Sequence, residues 1–169
     1  MTRSTMRRDV RDALADVEGL VPVPWSVEEL TERLGAHRGK PIRLVAWTFP
    51  AEPDAPTGLW VATEQADYVF YDDAASPARR EQIIGHELGH LLLGHTPRLS
   101  EALDGLIEAL APSVSPELAR QVLAMARTGY AEADEAAAEL FGTSLIRAAH
   151  TKRGPAERGE LGRLTEALQ

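Results

Sequence analysis

Three residues near the middle of the chain have the types and spacing of a metal-dependent hydrolytic site. His86, Glu87 and His90 form the pattern H-E-x-x-H, in a segment whose sequence predicts a helix. Residues i and i+4 of a helix lie on one face, one turn apart, so two imidazoles there can reach the same metal ion. Glu87 lies about 100° around the helix from His86, where it is better placed to take a proton from a water molecule than to join the ligands. This combination is typical of peptide hydrolysis.

The helix that carries the pattern is predicted to begin at Ser76-Pro77 and to run to about Gly94. Its apolar positions indicate that it is buried, and two histidines and a glutamate are costly inside a buried helix unless something satisfies them. The alternative is a surface helix on which the two histidines occur by chance. The apolar positions are Ile83, Ile84, Leu88, Leu91 and Leu92.

A catalytic zinc site takes a third protein ligand and leaves one position open. The chain has no cysteine, so the third ligand must be His, Asp or Glu. His95 follows His90 by five residues, beyond Gly94, and we interpret it as a polar residue at the helix C-terminus rather than a ligand. His37 and His150 lie in polar surroundings and are expected to be exposed.

A carboxylate on the last predicted helix, residues 131–149, is the better candidate. The beginning of this helix is rich in acidic and small residues, and small residues allow two helices to approach closely. Spacing alone does not choose between four acids, and a solvated acidic helix start, favoured by the helix dipole, explains some of them. The four acids are Glu132, Asp134, Glu135 and Glu139.

The elements around these residues predict an α+β fold. Residues 42–49, 59–63 and 68–71 are strand candidates, and the last two are separated by four polar residues, as in a hairpin. We expect one small, mostly antiparallel sheet packed on a mainly helical body. Besides the two helices above, the apolar spacing predicts helices at residues 6–18, 26–35, 99–110 and 115–129.

Length and composition predict one domain over residues 1–150, with N-terminal helices to residue 40, a core over 41–150 and a polar tail over 151–169. The net charge of −8 argues against direct nucleic-acid binding. No apolar run is long enough to span a membrane, and no apolar stretch follows the N-terminal arginines as in a secretory signal. We therefore expect a cytoplasmic protein without a membrane partner. Oligomeric state is not readable from the sequence.

Residues 86–95, which read HELGHLLLGH, resemble the metal helix of the ImmA/IrrE family of zinc metallopeptidases. That family has a downstream signature, E-x-x-A-[NDE]-x-F-[AG]-x-x-L-[LI], which residues 135–146 fit position by position. The resemblance implies that His86, His90 and Glu135 bind Zn²⁺ and that Glu87 is the general base. It also makes Glu139, one turn on, a candidate to orient a ligating histidine.

The resemblance further implies a zincin-like fold and an endopeptidase that cleaves a helix-turn-helix transcriptional repressor. An extended substrate would add to an edge strand beside the metal cleft, supplied by residues 68–71 or 59–63. The alternative is a non-proteolytic, metal-containing regulatory or toxin–antitoxin module that binds a partner, although such a module has no use for the intact Glu87. A third interpretation is that no metal binds.

Overall fold

The structure, a computed structural model, describes residues 3–49, 56–62, 65–95, 98–99 and 128–152. Helices and a small sheet alternate along these residues, which confirms the α+β class. The elements, numbered along the chain, are α1 (Arg3–Val17), a 3₁₀ turn (Glu18–Leu20), α2 (Val27–Arg38), β1 (Ile42–Trp47), β2 (Gly58–Ala62), β3 (Asp67–Asp72), α3 (Pro77–Leu92), β4 (Arg98–Leu99), β5 (Thr128–Gly129) and α4 (Glu132–Thr151).

The three longer strands form a mixed sheet in the order β1-β3-β2. The predicted hairpin is confirmed, because β2 and β3 pair antiparallel, with Ala62 opposite Asp67. The prediction of a mostly antiparallel sheet is wrong, because β1 pairs with β3 in parallel. The strand β3 lies in the centre of the sheet and buries side chains on both faces. Val69 and Phe70, on opposite faces, are almost inaccessible to solvent. Residues 68–71 therefore cannot be the edge strand, whereas β2 lies at an edge.

The two faces of the sheet pack against different groups of side chains. Val69 belongs to the main core, which includes the buried faces of the helices, and Trp60 and Leu44 pack against it. Val61 and Phe70 point to the other face and form a smaller cluster. This alternation follows from the period of two along a strand.

A buried carboxylate joins the sheet to α2. Asp67 is 1% exposed and forms ion pairs with Arg38 at 2.7 Å and Lys40 at 2.9 Å. Its Oδ1 also accepts a hydrogen bond from Trp60 Nε1 at 3.3 Å. A buried carboxylate that loses its charge partners is costly, so Asp67 is held in place by Arg38 and Lys40, and through its hydrogen bond it helps to position Trp60 on β2.

The predicted beginnings of two helices are confirmed by their caps. Ser26 Oγ accepts from the backbone N–H of Glu29 at 3.1 Å, and Ser76 Oγ accepts from that of Arg79 at 3.3 Å. The predicted end of α2 at Gly35 is wrong. A Cβ at Gly35 would lie 2.9 Å from Ile42 N, so this glycine allows close packing against β1.

Several predictions fall partly or wholly beyond the described part of the chain. Most of the predicted helices at 99–110 and 115–129, and the tail from residue 153, lie outside the described residues. At their described ends the prediction of helix is wrong, since Arg98–Leu99 and Thr128–Gly129 pair as short antiparallel strands. Among the described helices, none combines the length and the apolar character that crossing a bilayer requires.

Candidate metal centre

The helix α3 presents His86 and His90 on one face, as predicted from their spacing. Their Nε2 atoms lie 2.9 Å apart and their ring centroids 4.6 Å apart. His90 is 1% exposed, whereas 24% of the His86 side chain is accessible to solvent. The pair therefore stands at the boundary between the core and the surface, where a metal ion can be held and still be reached.

Glu135, in the first turn of α4, completes the group. Its Oε2 lies 3.3 Å from His86 Nε2 and 3.8 Å from His90 Nε2. Tetrahedral ligands about 2.0–2.1 Å from a zinc ion are separated from one another by about 3.3–3.4 Å, and the three separations found here bracket that value. Among the described residues these three side chains form a group that can hold a metal ion.

The close approach of α4 to α3 depends on small residues where the two helices meet. A Cβ at Gly89 would stand 2.9 Å from Ala138 Cα, and a Cβ at Gly142 would stand 2.9 Å from the backbone nitrogen of His86. Any larger side chain at either position would push the helices apart. The small residues of the acidic helix thus have the predicted effect, because they bring Glu135 within reach of both imidazoles.

The other acids that spacing had left open occupy different places. Glu132 is exposed in the first turn of α4. Asp134 Oδ1 lies 3.9 Å from His95 Nε2. Glu139 Oε2 lies 3.6 Å from His86 Nδ1, the ring nitrogen that faces away from the group. Glu139 is therefore on the side expected of a residue that orients His86.

Glu87 lies beside the group but outside it, in a desolvated environment. It is 6% exposed, and burial, followed by the charge of Glu135, raises its pKa from 4.5 to about 8. One favourable contact opposes this rise, a hydrogen bond donated by the backbone N–H of Trp60 on β2. A carboxyl group with a pKa near neutrality can both accept and donate a proton, as acid–base catalysis requires.

Space for Glu87 is provided by Gly58, a residue to which sequence reasoning gave no functional role. A Cβ at Gly58 would stand 2.7 Å from Glu87 Oε1 and 2.5 Å from Ile83 Cγ2. Gly58 is the first residue of β2, one residue before the predicted beginning of this strand at residue 59. The edge strand can therefore lie directly against α3 at the point where Glu87 projects.

His90 is held as a neutral imidazole. Burial, with smaller contributions from His86 and His95, lowers its pKa from 6.5 to about 3. A neutral imidazole has a free lone pair on one ring nitrogen, which is the form that binds metals.

Tyr130, two residues before the first residue of α4, was not identified as a functional residue from the sequence. Its ring stacks on that of His90, with centroids 3.5 Å apart and planes inclined by 14°. Its hydroxyl is buried without a hydrogen-bond partner among the described residues. Burial, followed by the charges of Glu87, Glu135 and Asp134, raises the pKa of Tyr130 well above the usual value for a tyrosine. The hydroxyl therefore keeps its proton. In the sequence, the position of Tyr130 just before the acidic beginning of α4 is the one feature that pointed to a functional role.

His95 follows the end of α3, as predicted, but its side chain is only 7% exposed. Its Nδ1 lies 2.9 Å from His90 Nδ1. Burial is the largest influence on the pKa of His95 and lowers it. The charges of Asp134 and Glu135 oppose this and His86 adds to it, so the net change is a lowered pKa. His95 is outside the group of described residues that can hold a metal ion, in line with its interpretation as a polar residue at the helix C-terminus, but the sequence did not indicate its burial against His90. The exposure predicted for His37 and His150 is confirmed.

Comparison with protein-family models, with curated proteins and with solved structures gave no match to this chain.

Proposed function

We propose that the chain is a zinc-dependent endopeptidase of the ImmA/IrrE type. The observation that carries the proposal is the convergence of His86, His90 and Glu135 beside a buried Glu87 that is outside the ligand group. A structural metal site has no need of an adjacent carboxyl group whose pKa lies near neutrality. The two motifs of the sequence, at residues 86–95 and 135–146, support the same family assignment.

The donor set supports zinc as the metal. Two imidazole nitrogens and one carboxylate oxygen form a known catalytic zinc set, and three protein ligands leave a position for substrate or water. When bound, the metal supplies Lewis-acid activation of a water nucleophile and of the scissile carbonyl. The same donor set also suits non-haem iron, so metal identity is part of the proposal.

The protein's own groups then move the proton. Glu87 takes a proton from the attacking water and returns it to the leaving amine. The N–H of Trp60 fixes the orientation of the Glu87 carboxyl group during both transfers. The neutral hydroxyl of Tyr130 lies close enough to Glu87 and Glu135 to feel their charges, and it is a donor available to the oxygen that becomes negative in the transition state.

The edge strand β2 offers a place for an extended substrate. The N–H of Asp72 donates to the C=O of Thr57 at 3.0 Å, and hydrogen-bonded pairs alternate along an antiparallel ladder. The peptide groups of Gly58, Trp60 and Ala62 therefore point away from β3, and the bond from Trp60 N–H to Glu87 agrees with this. A substrate strand paired along this edge passes next to Glu87.

The substrate class follows from the resemblance. We propose a helix-turn-helix transcriptional repressor, cleaved in an extended segment rather than in a folded helix, since an edge strand recognises extended backbone.

The test incubates the zinc-loaded protein with candidate helix-turn-helix repressors from the same genome and detects cleavage by mass spectrometry. We expect one discrete cut by the wild type. Glu87→Gln should keep its zinc and cut more slowly by a factor of about 10²–10⁴. Glu32→Gln, which changes an exposed glutamate of α2, is the matched control and should cut normally.

A Glu87→Gln variant as active as the wild type would overturn the role assigned to Glu87. If the wild type changes only the oligomeric state of the repressor and not its mass, the chain is a partner-binding module instead.

A further inference from the structure

The C-terminus of α3 ends in a turn that folds the chain back onto the metal group. Gly94 has a φ of +67°, the left-handed conformation that glycine adopts without strain. The N–H of Gly94 donates to the C=O of Leu91 at 3.4 Å, and the N–H of His95 donates to that of His90 at 3.0 Å. This pair of bonds defines a Schellman motif, in which the side chain following the glycine contacts the last turn of the helix.

In most such motifs that contact is hydrophobic, whereas here it is polar. The His95 ring lies against the His90 ring, with centroids 5.1 Å apart and the two Nδ1 atoms at 2.9 Å. His90 and His95 are 1% and 7% exposed, so water does not compete for this contact. The other ring nitrogen of His95, Nε2, faces Asp134 Oδ1 at 3.9 Å.

The direction of each proton in this row of groups follows from the metal group. His90 Nε2 belongs to the group that can hold the metal and must offer a lone pair there, so the proton of the neutral ring is on Nδ1. Nδ1–H can then donate only to the Nδ1 lone pair of His95, which leaves the proton of His95 on Nε2, facing the Asp134 carboxylate. One arrangement thus accounts for all three groups: His90 donates to His95 at 2.9 Å, and the His95 Nε2–H faces the Asp134 carboxylate at 3.9 Å, an ion-pair distance.

We propose that His95, with Asp134 behind it, is the positioning residue that orients His90 toward the metal. The inference depends on the metal site of the proposed function. Metal-ligating histidines commonly donate their second N–H to a carboxylate or a carbonyl, and here a second histidine is inserted between ligand and carboxylate. His86 has the shorter version of the same arrangement, with Glu139 3.6 Å from its Nδ1.

The experiment measures Zn²⁺ affinity by competition with a chromophoric chelator, using the full chain and zinc alone. We expect His95→Ala to weaken zinc binding by about 10–100-fold. His95→Asn should stay within a few-fold of the wild type, because its Oδ1 can take the place of the Nδ1 acceptor. Equal affinity in His95→Ala and the wild type would overturn the proposal, and so would an equal loss in His95→Ala and His95→Asn.

A second pair of variants tests the turn without changing any ring. Gly39 ends α2 in the same motif, with a φ of +69°, and bonds from Gly39 N to Ala36 O and from Lys40 N to Gly35 O. A Cβ at Gly39 or Gly94 would meet nothing within 4 Å, so alanine at either position adds only backbone strain. Both Gly39→Ala and Gly94→Ala should lower the melting temperature of the metal-free chain, but only Gly94→Ala should weaken zinc binding. Equal zinc affinity in the two would contradict the inference.

The proton arrangement can be observed directly by ¹⁵N NMR of the histidines in the zinc-loaded wild type. We expect His90 to be protonated at Nδ1 and His95 at Nε2, and the opposite tautomer of His95 would contradict the proposal. A wild type that binds no zinc would overturn the proposed function itself. Normal zinc binding with an unaffected His95→Ala would overturn only the role of His95.

Discussion

Gly89 of α3 lies directly against the backbone of Ala138 on α4, and a Cβ at Gly89 would stand 2.9 Å from both the Cα and the carbonyl oxygen of Ala138. The atoms in the way belong to the main chain of α4 at the buried residue Ala138, so they cannot turn aside as a side chain can. The separation of the two helices, and with it the reach of Glu135, is therefore fixed at this contact.

Gly89→Ala should accordingly destabilise the chain by about 1–3 kcal/mol, as overpacking does, and should weaken zinc binding by displacing Glu135. Gly85→Ala is the matched control on the same helix. The nearest atoms to a Cβ there are Ile146 Cδ1 at 3.3 Å and Gly142 Cα at 3.4 Å, and alanine also favours the helix by about 1 kcal/mol. Urea denaturation should separate the two variants, and equal stabilities would contradict this account of the helix contact.

Gly58→Ala should affect catalysis more than metal binding. The added Cβ would stand 2.7 Å from Glu87 Oε1 and 3.2 Å from its Cγ, so the carboxyl group must move, while the three ligand side chains lie elsewhere. A displacement of about 1 Å at a reacting group costs roughly 10²-fold in rate. We expect that loss in repressor cleavage, with zinc content unchanged in metal analysis. Full activity in this variant would show that Glu87 tolerates displacement.

The pattern H-E-x-x-H was sufficient to predict which side chains of α3 converge, because helical spacing alone puts His86 and His90 one turn apart. The choice of Glu135 among four acids was not available from spacing. It depends on how closely α4 approaches α3, which is a property of packing between segments distant in the chain.

The sheet was only partly predictable for a related reason. Alternation and a short polar connection predicted the β2–β3 hairpin, which needs no long-range information. The insertion of β3 between β1 and β2 is a non-local choice, and so the parallel pairing was missed. The role of Tyr130 and the contacts of His95 were not predicted because their surroundings are formed by other segments, namely His90 on α3 and Asp134 on α4.

The metal-free chain should lose stability as pH rises from 6.5 to about 8. Glu87, with a pKa of about 8 in the folded chain against 4.5 when unfolded, keeps a proton that the unfolded chain has lost, so its contribution decreases between those pH values. His90, with a pKa of about 3 against 6.5, has the opposite effect between pH 3 and 6.5. The effects of Glu87 and His90 on stability cancel from pH 4.5 to 6.5, where the lowered pKa of His95 adds a further rise of stability with pH. Above pH 6.5 both histidines are neutral in the folded and unfolded chain, and the effect of Glu87 remains.

The measurement is urea denaturation in chelator at pH 6.5 and pH 8. Between these two values the wild type should lose about 1–2 kcal/mol of unfolding free energy relative to Glu87→Gln. Glu32→Gln should follow the wild type. If the unfolding free energies of the wild type and Glu87→Gln change equally between pH 6.5 and pH 8, Glu87 is not a buried acid of raised pKa.

Tyr130→Phe should slow cleavage without loosening the metal. Phenylalanine keeps the stacking contact with His90 and removes only the buried hydroxyl. Loss of one donor to a developing oxyanion costs about 10²–10³-fold in kcat. We expect kcat to decrease by at least about 10²-fold, with KM and zinc affinity close to those of the wild type. An unchanged kcat would assign Tyr130 a packing role only.

The most direct test of the metal centre is zinc K-edge X-ray absorption of the reconstituted chain, together with the zinc stoichiometry. We expect one zinc per chain, bound by two imidazole nitrogens and a carboxylate oxygen. Glu135→Gln should lose the carboxylate ligand and most of the zinc affinity. Glu132→Gln, which changes another glutamate in the first turn of α4, should bind zinc as the wild type does. Zinc bound equally well by Glu135→Gln, or no zinc bound by the wild type, would contradict the account.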